Sequence, residues 1–596
     1  MNCVKLPIAS NPEEAKRAFD HMENIPQGSQ ELLEAIFGNS PYLTKLIQKN
    51  SDFFEFIIKN GSFEAFNQTI KNLPDVFENK EDLMRHLRLA KQKIALLTAI
   101  ADITKEWTLE EVTKTLSDFA KLCVEMTVSH LVATAHKKGN LEQSTHDGVV
   151  IMGLGKIGGD ELNYSSDIDL IILFDKEKVP YCGRLPIQRF FTTFSQELVQ
   201  ILQERTGDGY VFRVDLRIRP DPLSTPPAIA LNTALNYYHT VGQNWERAAL
   251  IKAVPIAGDM KMGFGFLRGV RSYIWRKHLD FESIRDIHSI KRQMNIKLYN
   301  QSITVRGQNI KVGIGGIREI EFYAQTQQLI WGGRTLKLRA KSTCKALLAL
   351  AEEGRIEQKT ADDLIEKYKE LRELEHRLQM INDQQTHTIP EDEAELYRLA
   401  CFMGFDNVDD FKNQTRASLT LVHKYYEELF EDSPNLSVGE GRLVFTGVEN
   451  DPETLKTLKK IGFKEPERVS EIIRMWHFGK RNATKTTKSR ELLTELIPLL
   501  LKALAHTVHP DDAFLNFDAF IAHAEAGVQF FSLLYSNPEL LYLVADIMGN
   551  APHLGETLGK HPYLLDSVLL RKTAPLDKPS LKKELHEWLE TEIGEI

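Results

Sequence analysis

Two aspartates separated by one residue carry the strongest chemical signal in this chain. Asp167 and Asp169 open the segment Asp167-Ile-Asp-Leu-Ile-Ile-Leu-Phe174, whose apolar residues predict a strand. Side chains alternate along a strand, so both carboxylates project from one face while Ile168 and Leu170 enter the core. Carboxylates at this spacing repel each other unless a cation lies between them. Mg2+ takes oxygen ligands of this kind, and substrate phosphates usually complete its shell.

A third carboxylate lies further along the chain, in the segment Tyr210-Val-Phe-Arg-Val-Asp-Leu-Arg-Ile-Arg-Pro220. The alternation of this segment predicts a strand that places its apolar residues on one face. The other face then carries Asp215 together with Arg213, Arg217 and Arg219. With Asp167 and Asp169, Asp215 would complete the paired-metal type of site that catalyses phosphoryl transfer.

Four glycines lie between a short apolar run and the first aspartate strand. Val149 to Met152 is a short apolar run, and the glycines that follow it allow unusual backbone angles or the close approach of a phosphate. We therefore predict that Gly158, Gly159 and the hydroxyl of Ser166 cradle phosphate oxygens.

A lone Asp-x-Asp pair is weak evidence, because most such pairs mark a solvated strand end or a turn. Here the pair coincides with a double-glycine turn, a Ser-Ser lead and a later alternating strand that contains Asp215. The combination favours a nucleotidyltransferase-type site over a structural turn.

Four sequence blocks resemble, in this order, the signatures of the glutamine synthetase adenylyltransferase/adenylyl-removing family. They are Gly153-Leu-Gly-Lys-Ile-Gly-Gly-Asp-Glu-Leu-Asn-Tyr-Ser-Ser-Asp-Ile-Asp-Leu170, Arg213-Val-Asp-Leu-Arg-Ile-Arg-Pro220, Asn244-Trp-Glu-Arg-Ala-Ala-Leu-Ile-Lys-Ala253 and Gly315-Gly-Ile-Arg-Glu-Ile-Glu-Phe322. The resemblance extends to about residue 570. It implies an α+β fold in which a nucleotidyltransferase-type (polymerase beta-like) mixed sheet is embedded in a mostly α-helical chain.

The third block contains two cations suited to phosphate oxygens, Arg247 and Lys252. From residue types alone, an equally good interpretation makes Trp245 a core anchor and Glu246 and Arg247 a structural pair. The family resemblance favours nucleotide contacts for Arg247 and Lys252.

Composition restricts the classes of function. The net charge of −9 argues against a general nucleic-acid binder, which would carry a basic surface. The five cysteines include no Cys-x-x-Cys, so neither a zinc site nor a disulfide framework is indicated. No signal peptide or membrane-spanning stretch is evident, and we expect a cytoplasmic protein without membrane contact.

Periodicity and turn signals, together with the resemblance, predict five segments. They are a helical region (1–145), a catalytic core (146–335), a helical region packed on it (336–435), a segment that resembles the family's central helical linker domain (453–570) and the start of a second half (571–596). The charged stretch Thr360–Ile381 is interpreted as a solvated helical face, with a docking surface as the alternative. His387, in the break that follows, is interpreted as a polar loop residue.

An internal repeat supports the predicted second half. The segment Leu32-Leu-Glu-Ala-Ile-Phe-Gly-Asn-Ser-Pro-Tyr-Leu43 resembles Leu543-Val-Ala-Asp-Ile-Met-Gly-Asn-Ala-Pro-His-Leu554 at a constant offset. By that offset, a second copy of Asp167 would lie beyond Ile596. We expect that the chain ends as a second half begins, as a truncated product or a fragment of a longer protein.

The resemblance implies the reaction and the partners. Family members resemble two nucleotidyltransferase units in tandem, of which the first removes AMP from a tyrosine of glutamine synthetase and the second attaches it. This chain would be the adenylyl-removing half, with Mg2+, phosphate, adenine nucleotides, glutamine synthetase and the PII regulator as cofactor and partners. Three alternatives remain: ATP-dependent adenylylation, a non-catalytic module that holds glutamine synthetase or PII, and a transferase acting on RNA or a small molecule.

Overall fold

The computed structural model describes residues 6–22, 24–275, 303–429, 443, 445, 450, 452–524, 527–551, 553–554 and 557–558. Contacts between residues divide the chain into two units. Unit 1 contains the described residues up to 429, and unit 2 contains the remainder. The predicted start of a second half at 571–596 lies outside the described residues, and the predicted segment boundaries stay predictions.

A small mixed sheet is the centre of unit 1. Its strands are β1 (Val149–Leu154), β2 (Asp167–Phe174), β3 (Arg213–Asp215), β4 (Ala228–Ala230) and β5 (Val254–Gly258). β1 runs antiparallel to both β2 and β5. The two short strands lie along the other edge of β2, with β3 parallel to its first half and β4 parallel to its second half. This mixed sheet in a mostly helical chain confirms the predicted fold class.

The second predicted strand is much shorter than its sequence pattern suggested. Only Arg213–Asp215 forms a strand, so the predicted alternation of faces through residue 220 is wrong beyond Asp215. Asp215 turns the chain because its Oδ1 accepts hydrogen bonds from both the backbone N–H and the guanidinium of Arg217. The guanidinium of Arg219 then fixes the following loop by donating to the backbone carbonyls of Leu216, Pro222, Thr225 and Pro226.

Seven helices precede the sheet within the described residues. They are α1 (Pro12–Phe19), α2 (Gln30–Phe37), α3 (Pro41–Lys49), α4 (Ser51–Asn60), α5 (Ser62–Lys71), α6 (Lys80–Ile103) and α7 (Leu109–Lys137). The two long helices, α6 and α7, confirm the helical periodicity of the sequence. α7 begins with a capping box in which Thr108 and Glu111 satisfy each other's backbone N–H groups. Apolar side chains of α6, α7 and the sheet share one core.

Further helices of unit 1 lie between and after the strands. They are α8 (Gly155–Gly158), α9 (Ile187–Gln203), α10 (Leu231–Thr240), α11 (Asn244–Ile251), α12 (Met260–Gly269), α13 (Arg271–Ile274), α14 (Ile317–Trp331), α15 (Thr343–Glu352), α16 (Gln358–Asn382), α17 (Glu393–Phe402) and α18 (Val408–Glu428). A short 3-10 turn spans Leu336–Leu338. α14 follows the predicted glycines and ends at Gly332, as its sequence indicates.

Helix α16 differs from its predicted solvated character. Its C-terminal half buries Arg372, Glu375, His376, Arg377 and Gln379, each no more than 2% exposed. Charged residues are almost never buried to this degree unless they are paired. The charge pattern predicted side chains exposed to solvent, whereas these side chains are buried and contact polar groups on other elements of unit 1.

One of these partners is Asp102, near the end of α6. Its Oδ2 lies 2.8 Å from Nδ1 of His376 and 3.2 Å from the guanidinium of Arg377. Burial works to raise the pKa of Asp102, but Arg377 and His376 outweigh it and hold that pKa well below the usual range of a carboxyl group. The cluster therefore joins α6 to α16 by charge as well as by packing.

Unit 2 is helical throughout its described residues. Its helices are α19 (Pro452–Ile461), α20 (Pro466–His477), α21 (Thr487–Ala505), α22 (Pro510–His523), α23 (Gly527–Ser536) and α24 (Pro538–Asn550), with a 3-10 turn at Asn482–Thr484. Trp476 stacks on Phe514 and donates its indole N–H to Asp518, which also pairs with Arg481. The apolar stretch from 527 to 548 forms two helices, because Pro538 begins a new one.

No helix in the part of the chain that the structure describes combines the length and the apolarity needed to cross a membrane.

Replacing Asp102 by Asn should destabilise the protein, because Arg377 would stay buried without its carboxylate. We expect a loss of about 3 kcal/mol in the free energy of unfolding, as for other broken buried pairs. The measurement is urea unfolding followed by circular dichroism at neutral pH.

The matched control for this substitution is Asp75→Asn, which removes an exposed carboxylate. Because the pKa of Asp102 is depressed in the folded state, its stabilisation is present above the unfolded pKa of about 4 and is lost as the pH falls below that value. The difference in the free energy of unfolding between Asp102→Asn and the unmutated chain should therefore become smaller in acid. Equal stability of the two proteins at neutral pH would show that the cluster contributes nothing.

Candidate active site

The register of the sheet brings the predicted carboxylates together. β2 and β3 pair Asp169 with Asp215 and Asp167 with Arg213. Ile168 and Leu170 are fully buried beneath them, as the alternation of β2 predicts. Two chain segments that are distant in sequence therefore present one carboxylate-lined edge of the sheet.

The carboxylate of Asp169 has a raised pKa and lies against a glycine. Burial and the neighbouring Asp215 carboxylate raise the pKa of Asp169 to about 7, although Lys311 and Lys156 oppose that shift. Gly155 lies directly against this carboxylate with a φ of 55°, and a Cβ at that position would lie 2.4 Å from Oδ2 of Asp169. Only glycine leaves room for the carboxylate in this backbone conformation.

Arginines accompany the other two carboxylates. Arg213 Nε lies 2.7 Å from Oδ1 of Asp167, and the same guanidinium donates to the hydroxyl of Tyr210 and the carbonyl of Ser165. Asp215 is held by Arg217, whose Nε lies 2.9 Å from each of its oxygens. Both arginines are partly exposed beside the carboxylates, where guanidinium groups can also meet a phosphate.

The donor set suits Mg2+ without forming a closed cage. Among the described residues, no three His, Cys, Asp or Glu side chains already stand in a metal-binding cluster. Mg2+ keeps several waters and binds through one or two carboxylates plus substrate phosphates, so a closed cage is not required. The raised pKa of Asp169 beside Asp215 shows negative charge that a cation would relieve. The residues present therefore fit this cation.

The predicted phosphate cradle is tightly packed in the structure. A Cβ on Gly158 would lie 2.0 Å from the backbone oxygen of Lys252, and one on Gly159 would lie 2.9 Å from Oε2 of Glu161. Ser166 is buried, and its Oγ accepts a hydrogen bond from the backbone N–H of Asn163 at 3.3 Å. Close packing accounts for the two glycines and an internal hydrogen bond for the serine, and their phosphate contacts stay a prediction.

The two cations predicted from the third sequence block are buried and have partners other than the predicted catalytic carboxylates. Lys252 Nζ lies 2.6 Å from Oε2 of Glu161, 3.2 Å from Oγ1 of Thr343 and 3.5 Å from Oε1 of Glu321. Arg247 is 3% exposed and donates to the carbonyl of Ile274. Arg219 is likewise engaged by loop carbonyls. Of the predicted cations, Arg213 and Arg217 are those hydrogen-bonded to the predicted catalytic carboxylates.

Sequence reasoning missed a buried charge chain behind the carboxylates. Lys156 Nζ lies 3.1 and 3.2 Å from the two oxygens of Glu375, which is fully buried and also pairs with Arg372 at 3.0 Å. His387 Nδ1 lies 2.8 Å from Oε1 of Glu375, so the predicted loop histidine belongs to this chain. Burial lowers the pKa of Lys156 to about 7, and Glu375 opposes that shift.

Helix α16 also forms hydrogen bonds with the loop that leads into β2. The guanidinium of Arg372 donates to the carbonyl of Glu161 at 2.7 Å and to Oδ1 of Asn163 at 3.2 Å. Oε1 of Gln379 accepts the backbone N–H of Ser165 at 2.7 Å. These bonds fix the backbone immediately before Asp167. The conspicuous sequence signal for this buried charge chain was Lys156, which lies inside the glycine block. Its partner Glu375 lies on α16, some two hundred residues away, so no local pattern connects the two.

Comparison with known proteins identifies two regions of the chain. Residues 30–269 match the family model described as glutamate–ammonia ligase adenylyltransferase. Residues 284–430 match the model described as GlnD PII-uridylyltransferase. The first match contains the whole sheet and the carboxylate edge, and the second contains the buried half of α16.

Curated relatives share the sequence over nearly the whole chain. Proteins named bifunctional glutamine synthetase adenylyltransferase/adenylyl-removing enzyme are 43% identical in Rhizobium meliloti (strain 1021), over 94% of this chain and 58% of the relative. The relative in Mesorhizobium japonicum is 44% identical, over 91% of this chain and 56% of the relative. The relative in Caulobacter vibrioides is 43% identical, over 93% of this chain and 57% of the relative.

The sheet and these matches place the chain among the nucleotidyltransferases. It belongs to the glutamate–ammonia ligase adenylyltransferase family, as the resemblance of its sequence blocks predicts. The chain spans a little under three fifths of the length of the relatives named above.

Replacing Glu375 by Gln should destabilise unit 1, because Lys156 and Arg372 would remain buried without their shared anion. We expect a loss of about 3 to 5 kcal/mol in the free energy of unfolding, measured by urea titration with circular dichroism. Glu366→Gln is the control, since that carboxylate belongs to an exposed surface pair. If both variants unfold at the same urea concentration as the unmutated chain, the buried chain has no structural role.

Proposed function

We propose that this chain is the adenylyl-removing half of a bifunctional enzyme of glutamine synthetase. The observation that carries the proposal is the pairing of Asp169 with Asp215 across β2 and β3, with Asp167 and Arg213 one position away. The relatives are named for both adenylyl transfer and adenylyl removal. The four blocks of the sequence resemble the first of the family's two tandem units, which favours removal. The predicted location in the cytoplasm is retained.

In the proposed site, the aspartates would bind the metal ion and the arginines would contact the phosphate groups. Asp169 and Asp215 would hold Mg2+, with Asp167 released from Arg213 as a further ligand. When bound, Mg2+ would neutralise the phosphate charges and assist a leaving oxygen. Arg213 and Arg217, which already contact the carboxylates, would turn towards the phosphate groups as substrate enters.

The proposed reaction is phosphorolysis of adenylyl-tyrosine. An oxygen of inorganic phosphate forms a bond to the phosphorus of the AMP group, and the bond between that phosphorus and the tyrosine oxygen breaks. The products are ADP and the tyrosine phenolate, which takes up the proton that the attacking phosphate loses. A phenol pKa near 10 makes this oxygen a reasonable leaving group. The main task of the protein is to bring two anions together, which requires the cations of the site.

ATP-dependent adenylylation is the first alternative, because the same residues could hold ATP and stabilise transfer in the opposite direction. The two directions leave different products, since addition releases pyrophosphate and removal releases ADP. A second alternative is a non-catalytic module that binds glutamine synthetase or PII. The match of residues 284–430 to a PII-uridylyltransferase model supports contact with PII as part of either function.

The decisive test incubates the chain with adenylylated glutamine synthetase, Mg2+ and phosphate, and measures ADP by chromatography. We expect phosphate-dependent ADP release that falls at least about a thousandfold in Asp169→Asn and Asp215→Asn, because charge stabilisation is the main catalytic contribution. Asp75→Asn should retain full activity. A parallel incubation with ATP and unmodified glutamine synthetase tests the alternative direction, which pyrophosphate release there without ADP release in the first assay would establish. Neither product in either assay would favour the binding module.

Mg2+ binding provides a separate test of the carboxylates. Calorimetric titration of the chain with Mg2+ and ADP should show binding that is lost in Asp169→Asn and in Asp215→Asn, since each substitution removes an oxygen anion from the site. Asp75→Asn should bind as the unmutated chain does. Unchanged binding in both site variants would exclude these residues as ligands.

A further inference from the structure

A hollow on unit 1 combines arginines with exposed apolar side chains. It has a volume of about 500 Å3, and we name it the arginine–aromatic surface after the residues that line it. They include Phe264, Arg268, Arg271, Trp275, Leu336 and Arg339. Phe264 and Leu336 are 47% and 63% exposed, so the apolar part of this surface faces solvent. Exposed aromatic and aliphatic groups beside arginine are typical of protein interfaces.

The surface has positive charge without compensation. Within the part of the chain that the structure describes, Arg268, Arg271 and Arg339 form no ion pair, although the chain as a whole has a net charge of −9. Burial and the nearby Arg271 guanidinium lower the pKa of Arg339, as expected for cations held close together. An anionic partner would relieve this repulsion.

Part of the surface is already ordered for binding. Arg339 lies over the ring of Trp275, with its guanidinium carbon 5.1 Å from the ring centroid, and its Nε donates to the carbonyl of Gly332 at 2.7 Å. Trp275 packs directly against Gly332, where any side chain would collide with the indole. A fixed aromatic ring and a fixed guanidinium lose little conformational entropy on binding.

The surface is distinct from the carboxylate edge. Lys311, which acts on the pKa of Asp169, accepts a backbone hydrogen bond from Arg318 at the start of α14. The arginine–aromatic surface lies at the other end of that helix, at Gly332. A helix of this length extends about 22 Å. One nucleotide cannot bridge that distance, whereas a folded protein substrate can contact both places.

We propose that the arginine–aromatic surface docks an acidic segment of the protein substrate, with apolar side chains of that segment seated on Phe264, Trp275 and Leu336. The identity of the substrate rests on the proposed function. A small anion is a poorer occupant, because small-molecule sites enclose most of the surface of their ligand and this hollow is open. The charge excess and the apolar rim both suit a protein surface.

The test measures binding of the chain to immobilised adenylylated glutamine synthetase by biolayer interferometry, at low and at high salt. Arg268→Glu combined with Arg271→Glu should weaken binding at least about tenfold at low salt, and much less at high salt. The combination of Arg268→Gln and Arg271→Gln should fall between this variant and the unmutated chain. Arg184→Glu with Arg189→Glu is the matched control, because both arginines are exposed and form no ion pair within the described residues.

Further measurements separate the possible outcomes. Circular dichroism and thermal unfolding should be the same for all variants, since the substituted side chains are exposed. If the unmutated chain releases ADP, the charge-reversed variant should show a raised KM for glutamine synthetase and an unchanged kcat. If the unmutated chain binds but releases no ADP, the proposed function fails while the docking surface stands.

Three results would overturn the proposal. The first is equal binding of glutamine synthetase by the charge-reversed and unmutated chains, or no binding by either. The second is loss of ATP affinity in the charge-reversed variant, which would make the hollow a small-anion site. The third is a dimer of the unmutated chain that the charge reversal dissociates in sedimentation velocity, which would make a second copy the occupant.

Discussion

The site depends on the buried ion pair between α16 and Lys156 and on the hydrogen bonds between α16 and the loop before β2. Arg372 and Glu375 are fully buried, and they contact the backbone of Glu161 and the ammonium of Lys156 on opposite sides of the glycine turn. Charges in such surroundings must be paired, because leaving one unpaired costs several kcal/mol. This requirement allows few arrangements of the turn. The position of Asp167 and Asp169 at the sheet edge follows from it.

The carboxylate edge is itself in an unfavourable electrostatic state. Burial and Asp215 raise the pKa of Asp169 to about 7, while Arg213 and Arg217 already satisfy the other two aspartates. In the proposed function, a cation and a phosphate group would replace these two arginine–aspartate pairs. A site assembled from exchangeable pairs suits phosphoryl transfer, where most of the catalysis is positioning and charge stabilisation.

Local patterns predicted the elements that contain the carboxylates, and they failed where side-chain hydrogen bonds or partners distant in sequence decide the structure. The alternation around Asp167 and Asp169 predicts β2 and the side of the sheet on which they lie. The pattern around Asp215 predicts a longer strand than Arg213–Asp215, because the hydrogen bonds from Arg217 that turn the chain are invisible in an alternating pattern. For α16, the charges suggest solvent because the pattern does not show buried partners such as Asp102 and Lys156, which lie on elements far away in the sequence.

The two family matches describe one functional assembly within unit 1. The match over residues 30–269 contains the sheet and all three aspartates, yet Arg372, Glu375 and Gln379, which fix the loop before β2, belong to the region matched over residues 284–430. If the first region were isolated, Lys156 would lose the buried carboxylate of Glu375. The loop before β2 would also lose its hydrogen bonds from Arg372 and to Gln379. The nucleotidyltransferase core therefore depends on α16 to fix the loop before β2, so a displacement of α16 would be passed to the backbone that leads into Asp167.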